Sequence, residues 1–394
     1  MTAAARRSAP AVELRYRFRN AQPEPVELWL SLPPDGVGQT VEKVRLEPQE
    51  IIRRRGRDLA GVNELAYIVL GPGDQVELDA TVRPERRRHE APGDASTAGG
   101  PLSPEGRRHY LRATPMVPTD GAVAGEARRI VEAAQAAGDE ARARALFAEL
   151  ALEYTYAYPP RRRGAAAMLE ERAGDCGEFS FLFAAWCRSC GIPARAIVGT
   201  WARGRTQAHV WNEIHLDGIG WIGVDASMAA LAHRKPWLVW LMGRRPGSWK
   251  RFFGALPGDR IAFSIDPDVG LSPPYAAVVS GGEADMEAAG RPLRWGRDTV
   301  GPGAPYLQPA YPRFAHPPDE SPKERWNSQE PLGEWQVVPA TAGGRLARGL
   351  QLGGTALLLV GGLGAQVIEL GVVGSVSLIA GISAWIASSL LRRR

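Results

Sequence analysis

Cysteine and lysine are both scarce in this chain of 394 residues. The three cysteines all lie between residues 176 and 190, and this clustering excludes a disulfide framework and favours a reducing compartment. Only four of the 48 basic residues are lysines, and the formal net charge is +5. We interpret the arginine runs at 86–88 and 161–163 as solvated surface, so we expect no nucleic-acid partner.

Long apolar runs are absent from the start of the chain and appear only near its end. Residues 1–12 contain two arginines but no apolar run, so we expect no secretory signal there. Residues 350–391 contain a single charged residue, Glu369. The uncharged stretches on either side of it are each long enough to cross a bilayer, and their glycines suit close helix packing. We therefore predict two transmembrane helices and a basic tail over 349–394, with a buried helical hairpin as the alternative.

Arginines flank both ends of this apolar region, before residue 349 and after residue 391. Positive charge beside membrane helices stays on the cytoplasmic side. Two crossings satisfy both flanks, whereas one crossing would expel one of them. The sequence thus predicts a multi-pass protein of the cell membrane whose preceding domains face the cytoplasm.

Apolar and charged residues alternate in the first part of the chain. The alternation runs from Val12 to Phe18 and recurs over 26–30 and 75–82, with Pro- and Gly-containing turns between. Period-2 alternation is typical of half-buried strands, so we predict a β-sandwich domain over residues 11–84, after a disordered segment at 1–10. The domain carries no evident chemistry, and its expected role is packing or partner contact.

Two further segments differ in composition from the parts around them. Residues 85–107 are charged and rich in Gly and Pro, which indicates a linker. Residues 276–348 are also dense in Gly and Pro, yet they hold six aromatic residues, too many for a free tether. We expect this second segment to lie along the folded core. Between the two, a helical pattern from about 125 to 154 breaks at Gly138–Asp139.

The segment DCGEFSFLFAAWCRSCGIPARAIVG begins at Asp175 and has the features of a buried helix. Asp175 is a good N-cap, and Gly191 and Pro193 are typical residues beyond a helix end, so the helix should run from about Cys176 to Cys190. A thiol at a helix N-terminus faces unpaired N–H groups and the positive end of the helix dipole. Both effects lower a thiol pKa, so we expect Cys176 to be a nucleophile.

A nucleophilic thiol needs an imidazole and a group that orients it. Residues 207–216 read as a strand, 217–220 as a turn and 221–225 as the returning strand. With the turn centred near Asp217, His209 and Asp225 fall opposite each other on one face of the hairpin. Asp225 would then accept the Nδ1–H of His209, which leaves Nε2 directed at Cys176. His215 lies near the turn, and we interpret it as a surface residue.

The motifs GDCGEFSFLFAAWCRSCGIPARAIVG, HVW and GWIGVD resemble the transglutaminase-like superfamily in order and spacing, over about residues 111–275. The resemblance implies an α+β fold with a papain-like catalytic domain, here 108–275, and the preceding β-region is similar to a domain of bacterial members. It implies that Cys176 is the nucleophile, His209 the base and later acid, and Asp225 the orienting residue. It calls for no cofactor and no metal. Val210 stands where alanine is usual, a conservative departure.

Other residues have roles that the sequence leaves open. An oxyanion hole should use the N–H of Cys176 and a side-chain donor, for which Tyr156 is the chosen candidate ahead of Tyr154 and Tyr158. Trp211 and Trp221 are candidates for walls of the site or for substrate binding.

The pair Cys187 and Cys190 forms a CxxC motif, which admits a redox or zinc reading. Both lie in the last turn of the expected helix, and no two further ligands have a suitable spacing, so we interpret them as core residues.

Two functions remain open at this point. The first is cysteine-dependent acyl transfer on a protein or peptide substrate, through a thioester that passes to water or to an amine. The second is a catalytically silent, membrane-tethered assembly protein that keeps the fold without the chemistry.

Overall fold

The structure is a computed structural model in which two β-sheets lie beside a layer of helices packed on a third sheet. It describes residues 9–85, 100–158, 160–202, 208–241 and 248–274, the short segments 293–295, 298–300, 309–313 and 333–340, and the single residues 307, 346 and 383.

In chain order, the strands are β1 (Val12–Arg19), β2 (Val26–Ser31), β3 (Gln39–Glu47), β4 (Ile52–Arg57), β5 (Glu64–Leu70), β6 (Gln75–Pro84), β7 (Thr155–Tyr156), β8 (Ala173–Gly174), β9 (Ala194–Trp201), β10 (Ala208–Leu216), β11 (Gly220–Val224), β12 (Arg260–Ile265), β13 (Leu293–Trp295), β14 (Asp298–Val300), β15 (Ala310–Arg313) and β16 (Glu334–Pro339). The α-helices are α1 (Pro104–Leu111), α2 (Gly121–Ala133), α3 (Asp139–Glu153), α4 (Ala165–Glu171), α5 (Cys176–Ser189), α6 (Ala226–Arg234) and α7 (Pro236–Leu241). Short 3₁₀ helices occupy Gln49–Ile51 and Trp249–Phe252.

Two antiparallel sheets pack around one apolar cluster, in the manner of a β-sandwich. Their strand orders are β16-β1-β6-β3 and β15-β2-β5-β4. The alternation predicted for the first strand is confirmed, because Leu14 and Tyr16 are fully buried while Arg15 and Arg17 are exposed. Residues from both sheets, Leu14 and Leu28 among them, belong to the same cluster, so each sheet covers the apolar face of the other.

The strands β15 and β16 come from the Pro- and Gly-rich part of the chain that follows the core domain. β16 pairs with β1 in the register Val12↔Pro339 to Arg17↔Glu334, and β15 pairs with β2. In β16, the side chains of Trp335 and Val337 are buried in the sandwich cluster. The aromatic residues noted in the sequence therefore include one that completes the sandwich.

The helical pattern predicted from about 125 to 154 forms two helices, as expected. α2 and α3 are separated at Gly138, which has a positive φ of 81°. The positions expected on one face of α3, from Ala143 to Leu150, are buried. α1 begins at Pro104, capped by the Ser103 side chain, and so lies partly within the segment predicted as a linker.

The central helix α5 packs on the antiparallel sheet β11-β10-β9-β12. Its middle, from Phe179 to Trp186, is buried on every side, as the all-round apolar sequence predicts. The Asn212 side chain of β10 donates a hydrogen bond of 2.9 Å to the carbonyl oxygen of Ser180. This bond ties the helix to the strand that carries His209.

The hairpin of β10 and β11 has a register different from the one expected. Leu216 pairs with Gly220, so the loop is centred on Gly218 rather than on Asp217. Gly218 has a φ of 79°, a conformation that favours glycine. The shift means that Asp225 lies beyond the end of β11, as the N-cap of α6, and is not directly opposite His209.

Strand β12 joins the core sheet to the sandwich. Its residues Ile261 and Phe263 belong to the sandwich cluster, while its neighbour Ala262 belongs to the core cluster. The Gln39 side chain bonds both the N–H (2.8 Å) and the carbonyl oxygen (3.2 Å) of Ala262. The sandwich thus packs directly against the sheet that carries the functional residues.

None of the helices that the structure describes is long and apolar enough to cross a membrane. Apart from the single residue 383, the two transmembrane helices predicted over 349–394 fall outside the described residues, and they remain a prediction.

Candidate active site

The first turn of α5 presents Cys176, and a capping box fixes that turn. The Asp175 carboxylate accepts a hydrogen bond of 2.7 Å from the N–H of Gly177, and the Glu178 carboxylate accepts one of 3.4 Å from the N–H of Asp175. The helix begins at Cys176, as predicted. The guanidinium of Arg163 lies 3.0 Å from Asp175 and 3.2 Å from Glu178, so the two acidic side chains share one cation.

The pKa of the Cys176 thiol is raised well above its usual value. Burial is the largest cause, because it removes water from the thiolate, and the negative charge of Asp175 adds to it. A hydrogen bond from the Val210 N–H lowers the pKa without cancelling these effects. The net direction is therefore opposite to the one expected from the helix N-terminus alone. The thiol needs a base to remove its proton.

His209 and Asp225 form a buried hydrogen bond. The distance from Nε2 of His209 to Oδ2 of Asp225 is 2.8 Å, and their side chains are 6% and 1% exposed. Burial by itself would raise the pKa of Asp225, but the neighbouring His209 and Arg260 lower it below its usual value. The ionised carboxylate can only accept, so Nε2 carries the proton and Nδ1 is the basic nitrogen. The expected contact through Nδ1 is thus corrected to Nε2.

Each oxygen of Asp225 has its own set of donors. Oδ1 accepts hydrogen bonds of 2.9 Å from the Ser227 hydroxyl and from the Met228 N–H, which caps α6. Oδ2 lies against His209 and also accepts a hydrogen bond of 2.6 Å from Nη2 of Arg260. The carboxylate is therefore held from two sides and cannot rotate without losing several bonds.

Cys176 lies against the strand that carries His209. Its sulfur accepts a hydrogen bond from the N–H of Val210, the residue after His209, and the charge of Asp225 acts on its thiol. The structure thus brings Cys176, His209 and Asp225 to one end of the core sheet.

Two indole rings stack on His209. The Trp201 ring lies 4.1 Å from the imidazole with an interplanar angle of 21°, and the Trp211 ring lies 6.1 Å away at 18°. Trp221 packs elsewhere, edge-on against Tyr110 and beneath the guanidinium of Arg195. Of the two predicted tryptophans, Trp211 therefore contacts the His209 ring, and Trp221 belongs to a separate aromatic cluster.

The three candidate tyrosines differ in position. Tyr154 packs edge-on against Trp186 in the core, and burial raises its pKa to about 12. Tyr156 is 36% exposed and stacks on Phe179 of α5. Desolvation, and then the negative charge of the Cys176 thiolate, raise the pKa of Tyr156, and the same two influences act on Tyr158. Tyr156 and Tyr158 therefore lie near the thiol, whereas Tyr154 is a core residue.

The remaining histidine and cysteine predictions have different outcomes. His215 is 2% exposed and stacks edge-on against Trp221, so its assignment to the surface is wrong. Cys187 is fully buried, Cys190 packs against the same core, and both are free thiols, in agreement with the core interpretation. Within the described part of the chain, no cluster of side chains is suited to a metal ion.

Two residues at this site were missed by sequence reasoning. Trp201 is the last residue of β9 and Arg260 the first of β12, and the two pair across the sheet. Arg260 is followed directly by the apolar residues Ile261, Ala262 and Phe263 of β12. An arginine at the start of an apolar strand was a usable signal, because a buried guanidinium needs an anionic partner.

The core model of the transglutaminase-like superfamily matches residues 126–226, a span that contains Cys176, His209 and Asp225. The chain therefore contains a transglutaminase-like core, and the resemblance noted in its motifs is confirmed. No curated protein matches the chain in sequence.

Solved structures with a similar arrangement share little sequence with this chain. A candidate cysteine protease from Cytophaga hutchinsonii has 16% identity and a TM-score of 0.45, with 56% of this chain and 77% of that chain covered. The periplasmic domain of TgpA from Pseudomonas aeruginosa has 13% identity and a TM-score of 0.33, with coverages of 58% and 91%. At these values the similarities do not bear on activity or location.

Proposed function

We propose that this protein catalyses acyl transfer on amide or peptide substrates, with Cys176 as nucleophile, His209 as base and Asp225 as the residue that orients it. The observation that carries the proposal is the buried hydrogen bond of 2.8 Å between Nε2 of His209 and Asp225. It supports an orientation in which Nε2 donates to Asp225 and Nδ1 is left to take a proton, and the N–H of the next residue, Val210, holds the Cys176 sulfur.

The reaction has two halves. His209 removes the thiol proton as the Cys176 sulfur attacks the carbonyl carbon, and a carbon–sulfur bond forms. The imidazolium then gives that proton to the departing nitrogen, the carbon–nitrogen bond breaks and a thioester remains. In the second half, His209 takes a proton from water or from an amine as it attacks the thioester. The carbon–sulfur bond then breaks, and the departing Cys176 thiolate takes that proton back from the imidazolium.

The raised pKa of the Cys176 thiol supports one version of this mechanism. A thiol that is protonated at rest must lose its proton during the attack, so His209 acts as a general base rather than as the partner of a preformed ion pair. The N–H of Cys176, in the unpaired first turn of α5, and the hydroxyl of Tyr156 are the proposed donors to the developing oxyanion.

A direct test uses p-nitrophenyl acetate, a small ester that can acylate a reactive thiol without substrate specificity. We expect the intact protein to release p-nitrophenolate in a burst and to gain one acetyl group at Cys176, as measured by mass spectrometry. Cys176→Ala should lose both signals. Cys190→Ala is the matched control, because its thiol lies at the other end of the same helix. Acetylation of Cys187 or Cys190 ahead of Cys176 would refute the assignment.

The fate of the thioester decides between two reaction types. With a glutamine-rich protein such as casein and a fluorescent primary amine, transamidation attaches the fluorophore to the protein. Hydrolysis instead releases ammonia or a peptide fragment. Both follow from the same first half, so the comparison separates a peptidase or amidase from a protein-glutamine acyltransferase.

A catalytically silent assembly protein is the second candidate. The raised pKa of the Cys176 thiol favours it, because a thiol held in its neutral form is a poor nucleophile unless a base acts on it. Absence of acetylation at Cys176 up to pH 9, in a protein with an intact fold, would support this candidate over the enzyme.

The same proposal includes a membrane tether. Residues 349–394 would form two crossings, which leaves the catalytic domain and the arginine-rich end of the chain in the cytoplasm. The β-sandwich is then available for contact with a partner protein. The charge pattern at both ends of the apolar region supports this arrangement.

A further inference from the structure

Arg260 is a buried cation that shares the carboxylate of Asp225 with His209. Its side chain is 4% exposed, and its Nη2 lies 2.6 Å from Oδ2 of Asp225. The same oxygen lies 2.8 Å from Nε2 of His209. Nη1 of Arg260 donates to Asp259 at 2.6 Å. One carboxylate oxygen thus serves both an imidazole and a guanidinium.

The two indoles that stack on His209 also contact Arg260. The guanidinium carbon lies 4.6 Å from the centre of the Trp201 ring and 6.0 Å from that of the Trp211 ring. Trp201 and Trp211 themselves lie 4.1 and 6.1 Å from the imidazole. The imidazole and the guanidinium therefore share the same aromatic walls and the same carboxylate.

The structural duty of Asp225 does not account for this arrangement. Its cap on α6 uses Oδ1, through the Ser227 hydroxyl and the Met228 N–H. Oδ2 is left for His209 and Arg260 alone among the bonds described. Burying an arginine is costly unless its partners are fixed, so a residue that served only the cap would not need one here.

We propose that Arg260 is a positioning residue for the acyl transfer proposed above, which holds Oδ2 of Asp225 in line with the imidazole and opposes a lasting positive charge on His209. The inference rests on the proposed function. The fixed geometry keeps Nε2 protonated and Nδ1 available as the base. The permanent charge of Arg260 makes the imidazolium a short-lived state that readily returns its proton to the leaving nitrogen.

Other charges around the site act in the same reaction. At the start of α5, Asp175 and Glu178 disfavour the Cys176 thiolate, and at the start of β12, Arg260 acts on Asp225 and is itself bonded to Asp259. Because Arg260 is a cation that shares Oδ2 of Asp225 with the imidazole, its removal should favour protonated His209.

The test compares Arg260→Gln and Arg260→Lys with the wild type, by measuring kcat and KM for p-nitrophenyl acetate across pH. For Arg260→Gln we expect kcat to fall on the order of 10- to 100-fold with KM within about twofold. The acidic limb of its kcat/KM profile should move up by about one pH unit, because one unit is typical of a lost neighbouring charge. For Arg260→Lys, which keeps the charge without the forked geometry, kcat should fall while the acidic limb stays in place.

Arg195→Lys is the matched control, because Arg195 is another buried arginine of the same sheet, paired with Glu213 at 2.6 Å. It should lose stability without a shift of the acidic limb. An Arg260→Gln profile that coincides with the wild-type profile in shape and midpoint would make Arg260 a structural residue. If Arg260→Gln fails to fold, Arg260→Lys carries the test, and full wild-type kcat in that variant overturns the proposal.

A second readout separates this inference from the proposed function. The rate of Cys176 alkylation by iodoacetamide, followed by mass spectrometry across pH, needs no turnover. If the wild type does not hydrolyse the ester, the proposed function fails, yet the alkylation profile still reports whether Arg260 acts on the Cys176 and His209 pair. An alkylation profile that is the same in the wild type and in Arg260→Gln would refute the inference alone.

Discussion

Asp225 has a separate task on each of its two oxygens. Oδ1 caps the N-terminus of α6 by accepting hydrogen bonds from the Ser227 hydroxyl and the Met228 N–H. Oδ2 is bonded to His209 and Arg260. An amide can reproduce the first task but not the second, because only one of its two polar atoms accepts hydrogen bonds.

Asp225→Asn is therefore expected to fold with its α6 cap intact and to lose activity. An amide nitrogen in place of Oδ2 would direct its hydrogens at Nε2 of His209 and at Arg260, which favours the wrong tautomer of the ring. We expect kcat for p-nitrophenyl acetate to fall on the order of 10³- to 10⁴-fold, with Cys176 still available to alkylation. A melting temperature within a few degrees of the wild type is the folding control. Wild-type turnover in this variant would show that another group orients the imidazole.

The sequence predicted the three candidate residues of the site but not their surroundings. Cys176, His209 and Asp225 lie in short motifs whose residue types indicate a nucleophile, a base and an orienting group. Arg260 offered only the signal of an arginine at the start of an apolar strand, and Trp201 offered none, because the two are brought to the site by pairing between strands that are far apart in the chain. The direction of the thiol pKa was wrong for a similar reason. Dipole effects can be read locally, whereas burial depends on the whole fold.

The N-terminus of α5 combines a strong cap with a negative charge that disfavours the Cys176 thiolate. Asp175 accepts from the Gly177 N–H, and its negative charge raises the pKa of the Cys176 thiol. Arg163 offsets part of this charge, but it is shared with Glu178, whose own pKa is raised by burial and by Asp175. Helix stability and thiol reactivity thus make opposite demands on Asp175.

A pair of substitutions at Asp175 can separate the two effects. Asp175→Asn keeps an N-cap acceptor and removes the charge, whereas Asp175→Ala removes both. We expect Asp175→Ala to lower the free energy of unfolding by about 1–2 kcal/mol and Asp175→Asn to lower it by less. In both, the pH midpoint of Cys176 alkylation should move to lower pH, because the nearby negative charge has gone. Urea unfolding and iodoacetamide kinetics measure the two effects. An unchanged alkylation midpoint in both variants would contradict the described electrostatics.

Secondary-structure elements could be predicted where capping or turn residues mark their ends. The helix α5 was predicted within one residue at its end, because Asp175 and Gly191 mark its two boundaries. The hairpin was predicted as a hairpin, but its register was wrong by two residues. The loop is centred on Gly218, which has a positive φ, but the sequence alone does not show which of the nearby glycines adopts that conformation. The strands β15 and β16 were not predicted, since they pair only with strands about 300 residues earlier.

At the scale of the whole molecule, the proposed membrane topology gives a prediction of its own. If residues 349–394 cross twice, protease added to spheroplasts should spare the catalytic domain, and detergent should make it accessible. When fused after Arg394, a reporter that works only in the cytoplasm should be active, and one that works only outside the cytoplasm should be inactive. As the matched control, replacing Arg392, Arg393 and Arg394 by glutamate should weaken the retention of that end on the cytoplasmic side. Digestion of residues 1–340 in intact spheroplasts would instead indicate an exported domain.

The sandwich is sealed by the last strand that the structure describes. β16 pairs with β1, and the N–H of Ala340 donates to the carbonyl oxygen of Ala11, so the chain comes back to the point where its first strand starts. Trp335 of β16 also donates to the Thr200 hydroxyl at 3.2 Å and packs edge-on against Phe263 of β12.

This closure sets an order of events during synthesis. A ribosome that adds 5–20 residues per second makes β1 roughly 15–65 s before it makes β16, about 320 residues later. Throughout that interval, the edge of β1 that pairs with β16 has no partner, and the Trp335 side chain does not yet cover the apolar face of the sheet. The nascent β-sandwich then has an unpaired edge strand, and strands of neighbouring chains can pair with such an edge. A chaperone that shields such edges on the ribosome would act on this protein in that window, and the need for it would end as Trp335 docks.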